Sequence, residues 1–240
     1  MSRRRKAAAK GKADKAKRRQ ASQHSSWLRR WPYLAVGGVA AVFIAALFLI
    51  GGGGSSTAAV YPDGYEPPTL GSPDAPVEMV MWEDFQCPFC GRFELRTMPV
   101  LKERFVDSGQ LRVVWRNFEN YGGESRDAAI AVYCAGEQGQ FWEFKDILFR
   151  EQQGINQGTF SENNLRRFAE EAGLETTAFN ACLDGRSYES IIVADKQLGR
   201  SEFNIAGTPT FFINGLRVGG AQPTDTFVGI IEDALRRAGQ

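Results

Sequence analysis

Residues 82–91 read W-E-D-F-Q-C-P-F-C-G and place Cys87 and Cys90 directly after an apolar run, Val77 to Trp82. A helical pattern follows, so this stretch predicts a buried strand that delivers two thiols to the first turn of a helix. The unpaired N–H groups and the positive end of a helix stabilise a thiolate, which is the reactive form of cysteine. We expect Cys87 to be the attacking sulfur, Pro88 to occupy the first helical position, and Cys90 to lie within disulfide reach.

A C-x-x-C pair also occurs in zinc sites and in structural disulfides. A zinc site needs a second close pair of ligands, whereas Cys134 and Cys182 are widely separated and the single histidine, His24, lies far upstream. The sequence therefore disfavours a metal at Cys87 and Cys90, and we expect no cofactor. A purely structural disulfide uses the same two atoms and stays open as an alternative, although the strand-to-helix setting favours redox chemistry.

The N-terminal segment differs sharply in charge from the rest of the chain. Residues 1–30 carry 12 Lys/Arg and one acid, whereas residues 31–240 carry 17 Lys/Arg and 27 Asp/Glu. The basic segment should be a disordered tail, and the uncharged, mostly apolar residues 31–50 that follow are long enough to span a bilayer. Because positive flanks stay in the cytoplasm, the pattern predicts a single-pass membrane protein whose remaining domain is extracytoplasmic. The adjoining apolar run argues against nucleic-acid binding by the basic tail.

A cleaved signal peptide is the competing interpretation of the N-terminal segment. The small residues from Gly51 onward, G-G-G-G-S-S-T-A-A, leave a cleavage site open, but the leader and the apolar run are both long for a signal peptide. We therefore favour an uncleaved anchor. Residues 51–70, small at first and then interspersed with prolines, predict a flexible linker to a folded domain at residues 71–240.

The folded domain shows an α/β order of elements. A strand at Val77–Trp82, a helix that opens at Cys87 and a strand at Leu111–Phe118 predict a parallel βαβ unit. Helical patterns then fill an insertion at about residues 122–204. Thr208–Val218 contains an Asn-Gly pair between two apolar runs, which predicts a β-hairpin, and a closing amphipathic helix follows it.

These elements, together with C-P-F-C at residues 87–90 and G-T-P-T-F-F-I-N-G at residues 207–215, resemble the DsbA-like branch of the thioredoxin fold. More closely, they resemble membrane-anchored thiol-disulfide oxidoreductases of Gram-positive, especially actinobacterial, envelopes. The resemblance covers about residues 70–238. It implies a thioredoxin fold with an inserted all-helical subdomain, preceded by one transmembrane helix. It also implies that Cys87 is an exposed nucleophile that forms mixed disulfides with client proteins, and that Cys90 resolves them.

The same resemblance places Pro209 at the family's cis-proline position beside the redox pair. A cis bond there turns the backbone N–H and C=O of Thr208 toward a bound client strand. Pro88 and Phe89 shape the same surface. Because Phe89 replaces the histidine of the best-known strong oxidant of the family, it supplies no positive charge to the thiolate. We therefore expect a redox poise between those of thioredoxin and DsbA.

Proton transfer to the redox pair has no obvious carrier in the sequence. Met81 stands where thioredoxins commonly keep a buried acid. Glu83 and Asp84 are nearby candidates for a proton relay, although solvated turn residues fit the pattern equally well.

Two further cysteines lie in the helical insertion. Cys134 and Cys182 each have apolar neighbours, so free buried thiols are one interpretation. Outside the cytoplasm an even number of cysteines favours pairing. We predict a structural disulfide that closes a loop of about 49 residues and contributes about 3 to 4 kcal/mol in the chain-entropy model.

The resemblance and the extracytoplasmic setting favour an oxidase that forms disulfides in reduced, unfolded exported proteins through Cys87 and Cys90. Such a monomeric enzyme needs reoxidation, and we expect a quinone-linked membrane partner of the VKOR or DsbB type. A membrane-tethered disulfide reductase or isomerase is the first alternative. A non-catalytic peptide-binding chaperone module is the second, and it predicts that serine at Cys87 leaves function intact.

Overall fold

The computed structural model describes residues 61–62 and 64–239. The predicted cytoplasmic tail at residues 1–30, the predicted transmembrane helix at 31–50 and residues 51–60 of the predicted linker lie outside this part. Within the described residues, no helix combines the length and the apolar character that crossing a bilayer requires.

Strands at both ends of the described domain enclose five consecutive helices. The elements are β1 (Thr69–Leu70), β2 (Val77–Glu83), α1 (Pro88–Arg96), α2 (Met98–Leu101), a π-helical segment (Lys102–Val106), β3 (Leu111–Asn117), α3 (Gly123–Gly136), α4 (Phe141–Glu151), α5 (Glu162–Glu171), α6 (Thr176–Asp184), α7 (Glu189–Ser201), β4 (Thr210–Ile213), β5 (Leu216–Gly219) and α8 (Thr224–Ala238).

The strands form a mixed sheet in the order β1-β3-β2-β4-β5. Strands β2 and β3 are parallel, and the other neighbouring pairs are antiparallel. This is the predicted thioredoxin arrangement, a βαβ unit followed by a ββα unit, with helices α3 to α7 inserted between them. In the predicted hairpin, Asn214 and Gly215 both have positive φ, as a two-residue turn with right-handed twist requires.

The helix that follows the two cysteines is broken just before Pro99. Helix α1 ends at Arg96, and the chain resumes its helical course at Met98, one residue before the proline. A proline inside a helix lacks the N–H for one backbone bond and clashes with the preceding turn. The break therefore confines α1 to a short rod that begins at the cysteines.

The linker predicted for residues 51–70 ends earlier than expected. The Tyr61 hydroxyl donates to the buried carboxylate of Asp195 on α7 at 2.7 Å, and the hydroxyls of Tyr65 and Tyr133 lie 2.7 Å apart. Strand β1 then pairs with β3. The described part of this segment is thus packed on the domain through its tyrosine side chains and β1. These contacts are with residues distant in sequence, so the proline pattern did not indicate them.

The sheet is covered on both faces. The larger core lies between the sheet, α1, α8 and the insertion, and includes Met79, Met81 and Trp115. On the other face, Trp82, Phe118 and Ile205 form a smaller cluster. A Cβ at Gly199 of α7 would lie 2.9 Å from both Trp82 and Phe118, so glycine permits this helix to approach the sheet closely.

A disulfide joins two helices of the insertion. Cys134 on α3 and Cys182 on α6 are bonded, with their Cα atoms 5.8 Å apart, a separation typical of disulfides. Both residues are buried. The bond links α3 to α6 across an apolar core.

Candidate active site

The two remaining cysteines lie where β2 leads into α1. Cys87 is the N-cap residue of α1, Pro88 follows at the first helical position, and Cys90 belongs to the first turn. The backbone N–H of Cys87 donates to the carbonyl of Asp84 at 3.1 Å. The tight turn after the strand therefore points the unpaired N–H groups of the helix at the cysteine side chains.

Both thiols are free, and both are covered. Cys87 is 1% exposed and Cys90 is fully buried. The expectation of an exposed Cys87 is therefore wrong for this structure, because the Cys87 sulfur turns inward and donates to the carbonyl of Thr208 at 3.3 Å. The exposed residues of the motif are Pro88 and Phe89, whose side chain is 53% exposed.

The surroundings of the two sulfurs give them different pKa values. A hydrogen bond from the Cys90 thiol, an interaction with Thr208 and backbone N–H groups of α1 lower the pKa of Cys87 to about 6, against the opposing effect of burial. Burial, followed by the neighbouring Cys87 and Glu83, raises the pKa of Cys90 well above its usual value. Near neutral pH this arrangement favours a thiolate at Cys87 and a protonated thiol at Cys90, which is the division of roles between an attacking and a resolving sulfur.

The peptide bond before Pro209 has the cis form that the resemblance implies for this position. Thr208–Pro209 is cis, and the Thr208 carbonyl faces the Cys87 sulfur. The adjacent strand β4 pairs with β2, which ends at the active-site loop. The pairing of β4 with β2 thus brings the backbone of Thr208 next to Cys87.

Beneath the cysteines lies a buried charged triad of Glu83, Lys145 and Glu94. The Lys145 Nζ atom lies 3.2 Å from an oxygen of Glu83 and 2.7 Å from an oxygen of Glu94. The indole N–H of Trp115 donates to the same oxygen of Glu83 at 3.1 Å. All three charged side chains are almost completely buried. Lys145 of the insertion thus joins the end of β2 to helix α1.

Burial and the like charge of Glu94 raise the pKa of Glu83 well above its usual value, although Lys145 opposes the shift. In Lys145, burial lowers the pKa but is outweighed by the two carboxylates, so the pKa is raised. Glu83 therefore has a carboxyl group that can exchange a proton at higher pH than an exposed glutamate, and its charge acts on Cys90. The alternative that Glu83 is a solvated turn residue is wrong.

Asp84 is also buried, but its surroundings differ from those of Glu83. Its carboxylate accepts hydrogen bonds from backbone N–H groups of the active-site loop and of the turn after β3, and from the Ser125 hydroxyl. Burial raises the pKa of Asp84, opposed by these donors. Asp84 is therefore a buried residue whose carboxylate joins the active-site loop to the turn after β3 and to α3. The alternative that it is a solvated turn residue is wrong.

The exposed part of the site combines an aromatic ring with a cation. The Arg92 guanidinium lies over the Phe89 ring, 4.9 Å from its centroid. Positive charge is thus present on the second turn of α1 although Phe89 itself carries none. Within residues 61–62 and 64–239, no group of three or more His, Cys, Asp or Glu side chains is arranged to hold a metal ion.

Several residues that contact the site were missed in the sequence. Lys145 is recognisable in retrospect, because it lies on the same helical face as Phe141 and Phe149, four residues away on either side. Gln152 lies just after α4, and its side-chain amide donates to the carbonyls of Cys87, at 3.1 Å, and of Phe85. No local pattern indicates Gln152, because its partners are distant in sequence.

A family model described as thioredoxin matches residues 65–233. Among curated proteins, Na(+)/H(+) antiporter NhaA 1 of Salinispora arenicola is 32% identical over 167 residues, which cover 69% of this chain and 24% of the antiporter. The chain therefore spans about a quarter of the length of the first relatives it matches. Disulfide bond formation protein D of Bacillus subtilis is 28% identical over 172 residues, which cover 70% of this chain and 77% of that protein.

Two solved structures superimpose on most of this chain. The oxidised form of BdbD from Bacillus subtilis superimposes with a TM-score of 0.66 and 28% identity, covering 71% of this chain and 93% of BdbD. Alpha-DsbA1 from Wolbachia pipientis superimposes with a TM-score of 0.66 and 26% identity, covering 75% of this chain and 94% of that protein.

Proposed function

This chain belongs to the thioredoxin family, as a DsbA-like protein-disulfide oxidoreductase, and from that premise we propose that it acts outside the cytoplasm as an oxidase. Its substrates in this proposal are reduced, unfolded exported proteins, to which it transfers the Cys87–Cys90 disulfide. Reoxidation then falls to a quinone-linked membrane partner of the VKOR or DsbB type.

The observation that carries the proposal is the contrast between the two active-site sulfurs. The pKa of Cys87 is lowered to about 6, whereas that of Cys90 is raised. A stabilised thiolate at Cys87 favours the reduced form of the pair, and a pair that prefers to be reduced oxidises its clients. A lowered pKa of the nucleophilic cysteine is the direction expected of an oxidant.

The proposed reaction has two exchange steps. A client thiolate attacks the Cys87 sulfur, the Cys87–Cys90 bond breaks, and Cys90 leaves with the electron pair and takes up a proton. A second client thiolate then attacks the client sulfur of the mixed disulfide. The client disulfide forms, Cys87 leaves as a thiolate, and the enzyme pair has gained two electrons.

We assign the proton exchange of Cys90 to Glu83. Glu83 lies at the end of β2, its charge contributes to the raised pKa of Cys90, and burial raises the pKa of its own carboxyl group. Lys145 and Glu94 hold that carboxyl group in place. Of the two candidates for a relay, Asp84 is the weaker, because its oxygens already accept hydrogen bonds from four donors.

Client binding in this proposal uses the surface around the covered sulfur. The Thr208 backbone, fixed by the cis bond to Pro209, offers a site for an extended client segment. Pro88 and the exposed ring of Phe89 add an apolar contact at the start of α1. We further propose that residues 31–50 anchor the monomer in the bilayer, with residues 1–30 in the cytoplasm, on the basis of their charge and hydropathy.

The test is a client-trapping and oxidation assay with the full chain. We expect the oxidised chain to introduce a disulfide into a reduced, unfolded protein. We expect the Cys90→Ser variant, first loaded as a mixed disulfide between Cys87 and glutathione, to accumulate the client bound to Cys87 as a client thiolate attacks Cys87 and glutathione leaves. The Cys134→Ser/Cys182→Ser variant is the control for general effects of cysteine loss. Faster reduction than oxidation of the client would favour the reductase or isomerase, and binding unaffected by Cys87→Ser without any exchange would favour the chaperone module.

A further inference from the structure

Aromatic packing fixes the active-site loop against the insertion. The ring of Phe85, two residues before Cys87, has its centroid 4.9 Å from that of Phe149 on α4 and 6.4 Å from that of Phe160, which precedes α5. All three rings are almost completely buried. The end of α4 therefore lies next to the loop that carries Cys87.

The residue just after α4 binds the backbone of this loop. Gln152 is half-buried, and its side-chain amide donates to the carbonyl of Cys87 at 3.1 Å and to the carbonyl of Phe85. Four residues later, the backbone N–H of Asn156 donates to the side-chain oxygen of the buried Gln86. Two residues of the insertion therefore contact three consecutive residues that end at the nucleophilic cysteine.

A glycine near the start of α1 leaves the space that the Gln152 amide occupies. A Cβ atom at Gly91 would lie 2.6 Å from Oε1 of Gln152 and 3.3 Å from its Cδ. The first of these distances is shorter than packed atoms tolerate, so any larger residue at position 91 would displace the amide. The sequence C-P-F-C-G thus combines the two cysteines with the room that this contact needs.

The carbonyl of Cys87 is the point at which Gln152 acts on the sulfur. Cys87 is the N-cap residue of α1, and its carbonyl also accepts from the backbone N–H of Gly91 at 3.1 Å. The direction of this carbonyl sets the ψ angle of Cys87, and hence the orientation of the first helix N–H groups relative to the sulfur. The N–H groups of Phe89 and Cys90 are among the groups that lower the pKa of Cys87. A donor that fixes the carbonyl therefore keeps these N–H groups directed at the thiolate.

We propose that Gln152 is a positioning residue for disulfide exchange, whose amide fixes the Cys87 carbonyl and with it the place of the reacting sulfur at the start of α1. The inference rests on the proposed function, in which Cys87 exchanges disulfides with clients. Gln152 touches no reacting atom and takes part in no covalent step. The insertion thus supports the redox motif at two places, because Lys145 of α4 binds Glu83 and Glu94 while Gln152 binds the loop between them.

The test compares Gln152→Met with Gln138→Met in the full chain. Methionine has about the length of glutamine but no N–H to donate. Gln138 is the matched control, because its side-chain amide also makes two hydrogen bonds to a backbone, that of Glu175 in the insertion, at 3.1 and 2.7 Å. We expect Gln152→Met to raise the pKa of Cys87, measured by thiolate absorbance, by about half a unit. The equilibrium with glutathione should shift toward the oxidised form by about threefold, and Gln138→Met should change neither quantity.

A second variant disturbs the same contact from the side of α1. Gly91→Ala places a methyl group where the Gln152 amide lies, while alanine favours the helix. The pKa of Cys87 and the glutathione equilibrium should therefore move in the same direction as in Gln152→Met. In a Gln152→Ala background the methyl group meets no amide, so Gly91→Ala should have no further effect on either quantity.

The outcomes separate this proposal from the proposed function. Folded Gln152→Met and Gly91→Ala variants with the wild-type Cys87 pKa and the wild-type equilibrium would overturn the role of Gln152. An effect of Gly91→Ala that persists in full in the Gln152→Ala background would also overturn it, because the change would then act through α1 itself. A wild-type potential at or below that of thioredoxin would instead overturn the oxidase proposal, and the difference between the wild type and Gln152→Met would still decide the role of Gln152.

Discussion

The two cysteine pairs of this protein are buried almost equally, but they differ in their position in the fold, in their neighbours and in their bonding. Cys87 and Cys90 are 1% and 0% exposed, and Cys134 and Cys182 are 1% and 6% exposed. The first pair lies at the start of α1, next to Thr208 and above a charged triad. The second lies within α3 and α6 and is bonded. Burial alone therefore does not decide whether a cysteine is reactive; its place relative to a helix start and to charged groups does.

Removing Cys87 should have a different consequence from removing the disulfide between Cys134 and Cys182. Cys87→Ser should reduce client oxidation by more than about a thousandfold with little loss of stability, because the nucleophile is gone while the fold remains. The measurement is the rate of disulfide formation in a reduced client. The Cys134→Ser/Cys182→Ser variant is the control and should retain the rate at a temperature where it is folded; equal losses in both variants would erase the contrast.

The charged triad has no counterpart at the second pair, so breaking it should affect the redox region alone. Lys145→Met leaves Glu83 and Glu94 buried without their cation and should cost about 3 to 5 kcal/mol of unfolding free energy. Glu83 already has a raised pKa, and it takes up a proton more readily as the pH falls. The loss should therefore be largest at high pH and shrink on acidification.

Urea unfolding at several pH values checks the Lys145→Met prediction. The control is Lys102→Met, which removes an exposed lysine paired with Asp107 and should change stability little. A loss for Lys145→Met that is independent of pH would show that packing, and not charge, dominates at this site.

The insertion disulfide should contribute stability without tuning the redox pair. Cys134→Ala/Cys182→Ala should lower the free energy of unfolding by about 3 to 4 kcal/mol, because the unfolded chain regains the freedom of a long loop. Chemical denaturation measures this loss. The Cys87–Cys90 potential should stay at its wild-type value, and a shifted potential would mean that the two pairs are coupled through α4 or α3.

The smallest expected effect is a difference in alkylation between the free thiols. In the reduced active-site pair, the pKa of Cys87 is about 6, so its alkylation rate should rise as the pH increases through about 6 and then level off. Cys90, whose pKa is raised, should react slowly over the same range. Mass spectrometry of alkylated peptides separates the two sulfurs, and a midpoint near that of a free cysteine would contradict the proposed poise.

The order of strands and helices in the domain was predictable from the sequence, because hydrophobic periodicity and turn residues are local signals. The strand at Val77, the helix that begins after Cys87 and the Asn214–Gly215 turn all lie where periodicity and turn chemistry predicted. Strand β1 was missed, because two residues are too short for a period and are held by their pairing with β3.

The site was only partly predictable, since its contacts join residues that are distant in sequence. Glu83 was a candidate from its position, and strand alternation places it on the same face as Met81, where a thioredoxin keeps its acid. Its partner Lys145 belongs to the insertion, 62 positions away, and no local pattern links them. Cys87 is likewise buried next to a distant residue, because folding brings the carbonyl of Thr208 to the end of β2, where it contacts the Cys87 sulfur.

The most direct test of the central claim is the reduction potential of the Cys87–Cys90 pair, measured by equilibrating the full chain with glutathione buffers. We predict a potential between those of thioredoxin, about −270 mV, and DsbA, about −120 mV, and clearly above the former. Such a potential means that the reduced pair is favoured and that clients are oxidised. A potential at or below that of thioredoxin would contradict the oxidase proposal and point to a reductive role.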